Sequence, residues 1–233
     1  MEILMDNPDV EKKFRSILKA IPSMQNGDTA ESLIKRGLIY EKNYGCSIVD
    51  LKYFAATMEK DHLLALKLWN KKWRETMILA TMLDEHSKVN EEQMDFWIKT
   101  ANSIEIIEQA IINLFTQTPF AFAKAMEWCL GKKHAVKHAG LLMMGRLALS
   151  DKNAIDEMFE PFFEITAPIT KDQTMHEILY RSVCQIARRS KNLHQQTVSF
   201  AQSIKTFEET TAQKLGFELL NDIENDDFIA LVR

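Results

Sequence analysis

Only seven glycines and five prolines punctuate 233 residues. Glycine loosens a helix interior and proline breaks it, so a chain this poor in both favours long uninterrupted helices. Apolar residues recur at period 3.6 rather than 2 through nearly every stretch between polar turns. Together these features predict an all-α fold. Short connections make neighbouring helices antiparallel. Many mid-length helices in series predict an α-solenoid, with an irregular helical bundle as the alternative. No crisp repeat of fixed period is visible. No Pro-Gly-rich linker divides the chain, so the expectation is one domain over 1–233 with an acidic, loosely attached tail at 218–233.

Cap signals place the elements. A first helix is expected over about 9–21, ended by Pro22, and a second over 29–37. Ser47 followed by Asp50 has the spacing of a capping box, with Asp50 placed to reach back to the Ser47 amide; that helix runs to about Lys60. Asp61 caps the next. A helix over 73–84 puts Trp73, Met77, Ala80 and Thr81 on one face. Asn90 with Gln93 opens another, and Ser103 caps the one after it. Further helices are expected over 120–130, 132–149, 153–166, 172–189 and 193–215.

Hydrophobic residues make up 46% of the chain and charged residues 27%, enough for a core and a wet surface. No apolar stretch approaches the roughly 20 residues that span a membrane; AGLLMMG at 139–145 is too short. The start of the chain lacks the apolar segment of a secretory signal. Cys46, Cys129 and Cys184 match no metal knuckle or redox pair and read as buried thiols of a cytoplasmic protein. No metal or nucleotide motif appears, so no cofactor is expected. The net charge of −4 is not that of a strongly basic nucleic-acid binder. A local basic groove on an acidic body remains compatible with it.

Two polar clusters stand out. His134, Lys137 and His138 share a face near the start of one helix, with Lys132 and Lys133 just before it. Cations are unfavourable at a helix N-terminus unless something negative sits opposite. A phosphate fills that role with the free amides, and so does water at an exposed end. Arg181, Gln185 and Arg188 form a second polar line with Arg189 beside it, which suits either a DNA-binding strip or a solvated face. Elsewhere, Glu108 lies on a stripe with Ile104, Ile111 and Phe115. An acid bordering an apolar surface is a candidate for a functional role, and equally for an interface partner of a lysine or arginine. Trp69 and Trp73 read as core; Trp97 and Trp128 are open to either reading.

Three segments, 40–85, 89–109 and 134–149, together resemble the HEAT-like-repeat family of AlkD-like DNA alkylation repair proteins. The features are Asn43-Tyr44-Gly45 before a capped helix, the Leu68-Trp69 pair and the Arg74-Glu75 helix after it. The resemblance spans roughly 30–190. It implies an α-α superhelix that lays duplex DNA on a positive inner face. It also implies excision of cationic N-alkylated purines by two tryptophans and an aspartate. Aromatic faces attract cations, and a carboxylate stabilises an oxocarbenium-like sugar or orients water.

The residues at those positions differ. Ile104 stands where the first tryptophan is implied, Gln185 in place of the second, and Glu108 in place of the aspartate. The family's central arginine falls near Lys137 or His138. The expectation is therefore a DNA-binding protein that contacts the backbone through Lys132, Lys133, His134, Lys137, His138, Arg181, Gln185 and Arg188, with little or no base excision. One alternative is a glycosylase for N3- or N7-alkylated purines using Glu108. The other is a scaffold for a protein partner.

Overall fold

Side-chain caps decide where most of the helices begin. In the computed structural model, which describes residues 7–233, Asn7 accepts from the amides of Asp9 and Val10 at the head of α1 (Pro8–Ala20). Asn26 opens α2 (Gly27–Lys35), Ser47 opens α3 (Ile48–Ala56) and Asp61 opens α4 (His62–Asn70). A three-residue turn leads to α5 (Arg74–Leu83). Asn90 then opens α6 (Glu91–Thr100), and Ser103 opens α7 (Ile104–Asn113). Each oxygen satisfies an amide that the first turn leaves without an internal partner. Next come α8 (Ala121–Cys129), α9 (His134–Ser150), α10 (Glu160–Thr166), α11 (His176–Ala187), α12 (Lys191–Ile204), α13 (Thr210–Ile223) and α14 (Asp226–Ile229). Among the described residues there is no strand, only an isolated bridge between Lys42 and Trp73. The chain is an all-α, HEAT-like helical-repeat arrangement of stacked helices, as the periodicity predicts.

Several details depart from expectation. Asp50 accepts the Ser47 hydroxyl at 2.7 Å rather than the Ser47 amide. Gln93 turns away from its cap and donates to buried Asp84 at 2.6 Å. The helix expected from 153 starts only at Glu160, because Pro161 has no amide hydrogen and is tolerated only in a first turn. The helix expected from 172 starts at His176, because Asp172 draws the preceding residues into a turn by accepting from the Thr174 amide and hydroxyl. The helix expected over 193–215 is two helices, broken at 205–209, where the Thr206 hydroxyl bonds the Ser203 carbonyl. Residues 218–223 are not a tail but the end of α13, with Leu219 and Ile223 fully buried.

The described chain divides at Thr118–Pro119 into two compact units, inside the span that the sequence reads as one domain. In the first unit α5 packs against α3, α4 and α7. Trp69 and Trp97 stack in its core with ring centroids 4.1 Å apart, and Phe115 lies beside Trp97. In the second unit α9 lies between α8 and α11, and α12 and α13 pack on α11.

Helix α5 is buried from Arg74 through Thr81, so its two charged residues need internal partners. The Arg74 guanidinium forks onto Glu105 at 2.9 and 2.7 Å and donates to the Cys46 carbonyl at 2.8 Å. Glu75 accepts from the Tyr44 and Cys46 amides and from Arg74. Tyr40 donates to Glu105. Burial alone would push the Glu105 carboxyl up; Arg74 and Tyr40 outweigh it and hold it below the usual range. Removing one member of such a pair strands the other. Arg74→Met is expected to cost about 3 kcal/mol, and Arg74→Met with Glu105→Leu to recover part of it. Urea unfolding followed by circular dichroism measures both; unchanged midpoints would show that the pair is dispensable.

Candidate nucleic-acid interface

The second unit is organised by two glycines on α9. A Cβ on Gly140 would lie 2.6 Å from the Cys129 nitrogen and 2.7 Å from the Ala125 carbonyl, so α8 rests on bare backbone there. A Cβ on Gly145 would lie 2.3 Å from the Gln185 side-chain oxygen and 3.0 Å from the Ser182 Cα, so α11 does the same one turn further on. From Ala139 to Gly145 every residue of α9 is buried. The charged and polar side chains that α9 carries near its start are thereby left outside the packed stretch.

That first turn is built unlike most others in the chain. Lys133 occupies the cap position and makes no side-chain cap bond, and no acid lies in the turn. Lys132, Lys133 and His134 are exposed; Lys137 and His138 are half-buried. Arg181, exposed on α11, adds its field to that of His134 at the His138 ring. Burial first, then those two cations, push the His138 imidazole down to about 4. Its Nε2 is buried without a hydrogen-bond partner among the described residues, and the rings of His134 and His138 lie 6.4 Å apart.

The structure thus gathers Lys132, Lys133, His134, Lys137, His138 and Arg181 at one place. It treats the rest of the polar line differently. Gln185 is half-buried, its oxygen pressed against Gly145 with no hydrogen-bond partner among the described residues. Arg188 is exposed at the C-cap of α11. Arg189 is structural: its guanidinium donates to the carbonyls of Ala148, Asp151 and Ala154 and lies over the Phe159 ring. It closes the end of α9, where carbonyls lack helical partners.

Sequence reasoning missed Asp172, whose carboxyl is held down first by its bonds to Thr174 and further by Lys137 and His134. The cluster therefore includes an acid, placed by a turn that no periodicity signals. In the first unit, Glu108 is half-buried on α7 between the core residues Ile107 and Ile111, and Ile104 is half-buried at the start of the same helix. Glu105, an acid of α7 that sequence reasoning did not single out, is tied into a network with Arg74, Tyr40 and Ser103. Trp69, Trp97 and Trp128 are buried, but Trp73, read as core, is only half-buried. Among the described residues no group of histidine, cysteine or acidic side chains is placed to hold a metal ion, and no helix is long and apolar enough to cross a membrane.

His138 gives the cluster a pH signature. Its folded value of about 4 lies below the unfolded 6.5. Between these values the unfolded chain takes up a proton that the folded chain refuses. Stability contributed by this group is intact above pH 6.5 and declines as pH falls towards 4, by at most about 1.4 kcal/mol per pH unit. His138→Gln should flatten this decline. Unfolding free energies of both proteins at pH 7, 5.5 and 4.5 test it; parallel profiles would mean that His138 titrates normally.

A family model described as DNA alkylation repair enzyme matches residues 17–175. A similar solved structure is described as belonging to a new family of proteins related to the HEAT-like repeat DNA glycosylases with affinity for branched DNA structures. It is 17% identical, covers 89% of this chain and 94% of its own, and has a TM-score of 0.69. At that identity the likeness is one of fold. No curated protein matches the chain.

Proposed function

The chain belongs to the DNA alkylation repair enzyme family, and on that footing we propose that it binds duplex or branched DNA through the phosphate backbone, with little or no excision of bases. The observation that carries this reading is the head of α9. Lys132, Lys133 and Lys137 stand at a helix start with no acid in its first turn, and Arg181 of α11 acts on the same place. A phosphate there gains the helix amides and the cations together. The description of the related structure's family, with its affinity for branched DNA structures, supports the same partner. His134 and His138 contribute donors beside the cations, and Gln185 and Arg188 extend the polar line along α11.

The reading of weak chemistry rests on Ile104 and Gln185. Isoleucine has bulk but no quadrupole to draw in a cationic base. Gln185 is tucked against Gly145 rather than offering a flat apolar wall. Glu108 keeps a carboxylate, but its extra methylene displaces the charge by about an ångström. A misplacement of that size costs on the order of a hundredfold.

Changing Lys132, Lys133 and Lys137 together to alanine should weaken DNA binding and lower the slope of log affinity against log salt by about two to three, close to one counterion per lost phosphate contact. Equilibrium titration at two or more salt concentrations reads both; equal affinities and slopes would make the cluster a solvated helix end. Duplex DNA carrying 7-methylguanine or 3-methyladenine should lose base no faster with the protein than without it, or only slightly faster. Rapid release that disappears in Glu108→Gln would instead establish a glycosylase with Glu108 as its carboxylate.

A further inference from the structure

The turn between α4 and α5 carries a second cluster, in the first unit, that the backbone contacts of α9 do not account for. Lys72 has φ +59, the sole positive-φ residue other than glycine among the described residues. A lysine in that region costs about 1 kcal/mol where glycine would be unstrained. The bend ends α4 and leaves Trp73 half-buried at the head of α5. The adjoining strand-like segment is pinned to it: the Arg74 amide donates to the Lys42 carbonyl at 2.9 Å. Gly45, with φ +69, lets that segment pass where a Cβ would lie 2.1 Å from the Asn26 carbonyl.

Tyr44 and Trp73 consequently face each other, with centroids 5.7 Å apart and planes at 59°. The Lys42 ammonium sits in the notch, 4.6 Å from one ring and 4.4 Å from the other, and the Lys71 ammonium lies 4.8 Å from the Trp73 ring. None of Lys42, Lys71 and Lys72 forms an ion pair among the described residues. Two ammonium groups without an ion pair among the described residues thus lie over these rings, and Lys72 occupies the turn beside them, in a protein of net charge −4.

We propose that this notch is a stacking site for an unpaired nucleobase, with Lys42, Lys71 and Lys72 taking the phosphates beside it. The inference rests on the DNA-binding reading and adds the element that distinguishes branched or gapped DNA from paired duplex. Magnitudes favour exchange of the occupant. An ammonium on an exposed ring gains about 0.5–1 kcal/mol, whereas a base stacked on an aromatic side chain gains about 1–3 kcal/mol. The displaced Lys42 then meets a phosphate instead of water. Paired bases are stacked on one another and offer no free face, so the notch selects single-stranded nucleotides.

The tryptophans make the test direct. Trp69, Trp97 and Trp128 are buried, so a quencher that stacks from outside reaches Trp73. A short oligothymidylate should quench the fluorescence of the wild-type protein, and an abasic oligonucleotide of the same length, with the same phosphates, should not. Trp73→Leu should abolish the quenching and weaken binding to gapped duplex about tenfold, with binding to fully paired duplex unchanged. Trp73→Phe should retain most of the gapped-duplex affinity, and thermal unfolding verifies that both variants are folded. Absence of quenching by oligothymidylate, equal quenching by the abasic strand, or unchanged gapped-duplex binding in folded Trp73→Leu would overturn the stacking site. If paired duplex still binds with its lysine-dependent salt slope, the backbone-binding reading survives that result; if the wild type binds no DNA, both fall.

Discussion

Each unit is built around one helix that is surrounded by others, and that burial dictates where charge can go. Helix α5 keeps Arg74 and Glu75 at its head, where Glu105, Cys46 and Tyr44 neutralise them. Helix α9 solves the same problem by carrying no charge from Ala139 to Gly145 and by using Gly140 and Gly145 to admit its neighbours at backbone distance. A charge at Gly140 or Gly145 would meet only uncharged neighbours, Cys129 and Ala125 at the first and Ser182 and Gln185 at the second, a loss of several kcal/mol. The cations of α9 accordingly lie outside the packed stretch, with His134, Lys137 and His138 before it and Arg146 just beyond its end. The basic cluster at the start of α9 is thus a consequence of the core as much as an addition to it.

The same confinement reconciles an acidic chain with an anionic partner. Electrostatic recognition depends on the local field, and that field is set by a few groups within about a Debye length of 10 Å. Lys132, Lys133, Lys137 and Arg181 supply it in the second unit, tempered by Asp172. Lys42 and Lys71 supply it in the first, over two aromatic rings, with Lys72 in the adjoining turn. The first group suits phosphate alone, while the second adds faces on which a base can lie. Binding of DNA by its backbone and by unpaired bases, as proposed, requires neither a cationic surface throughout nor a base-excising centre.

Much of the architecture is legible in the chain because its causes are local. Period 3.6 and the caps at Asp61, Asn90 and Ser103 act within one or two turns, and these helices start where the sequence places them. The break at 205–209 is invisible because no glycine or proline marks it and the apolar rhythm continues across it. The packing of α13 on α12 decides it, with Gly216 set against the Ala201 carbonyl and Lys205.

The sequence by itself determined an all-α fold, the starts of its capped helices, and the gathering of basic residues ahead of His134. It also marked Ile104, Glu108 and Gln185 as departures from the family pattern. Only the tertiary structure decided that Glu105, three residues before Glu108, is the acid tied to Arg74 from 31 residues away. Only it decided that Asp172 sits among the cations, that Arg189 closes a helix end, and that Trp73 reaches the surface between lysines. The physical reason is the range of the forces involved. Helix propensity and capping are settled by neighbours in the chain, whereas desolvation and ion pairing depend on which distant groups packing brings within a few ångströms.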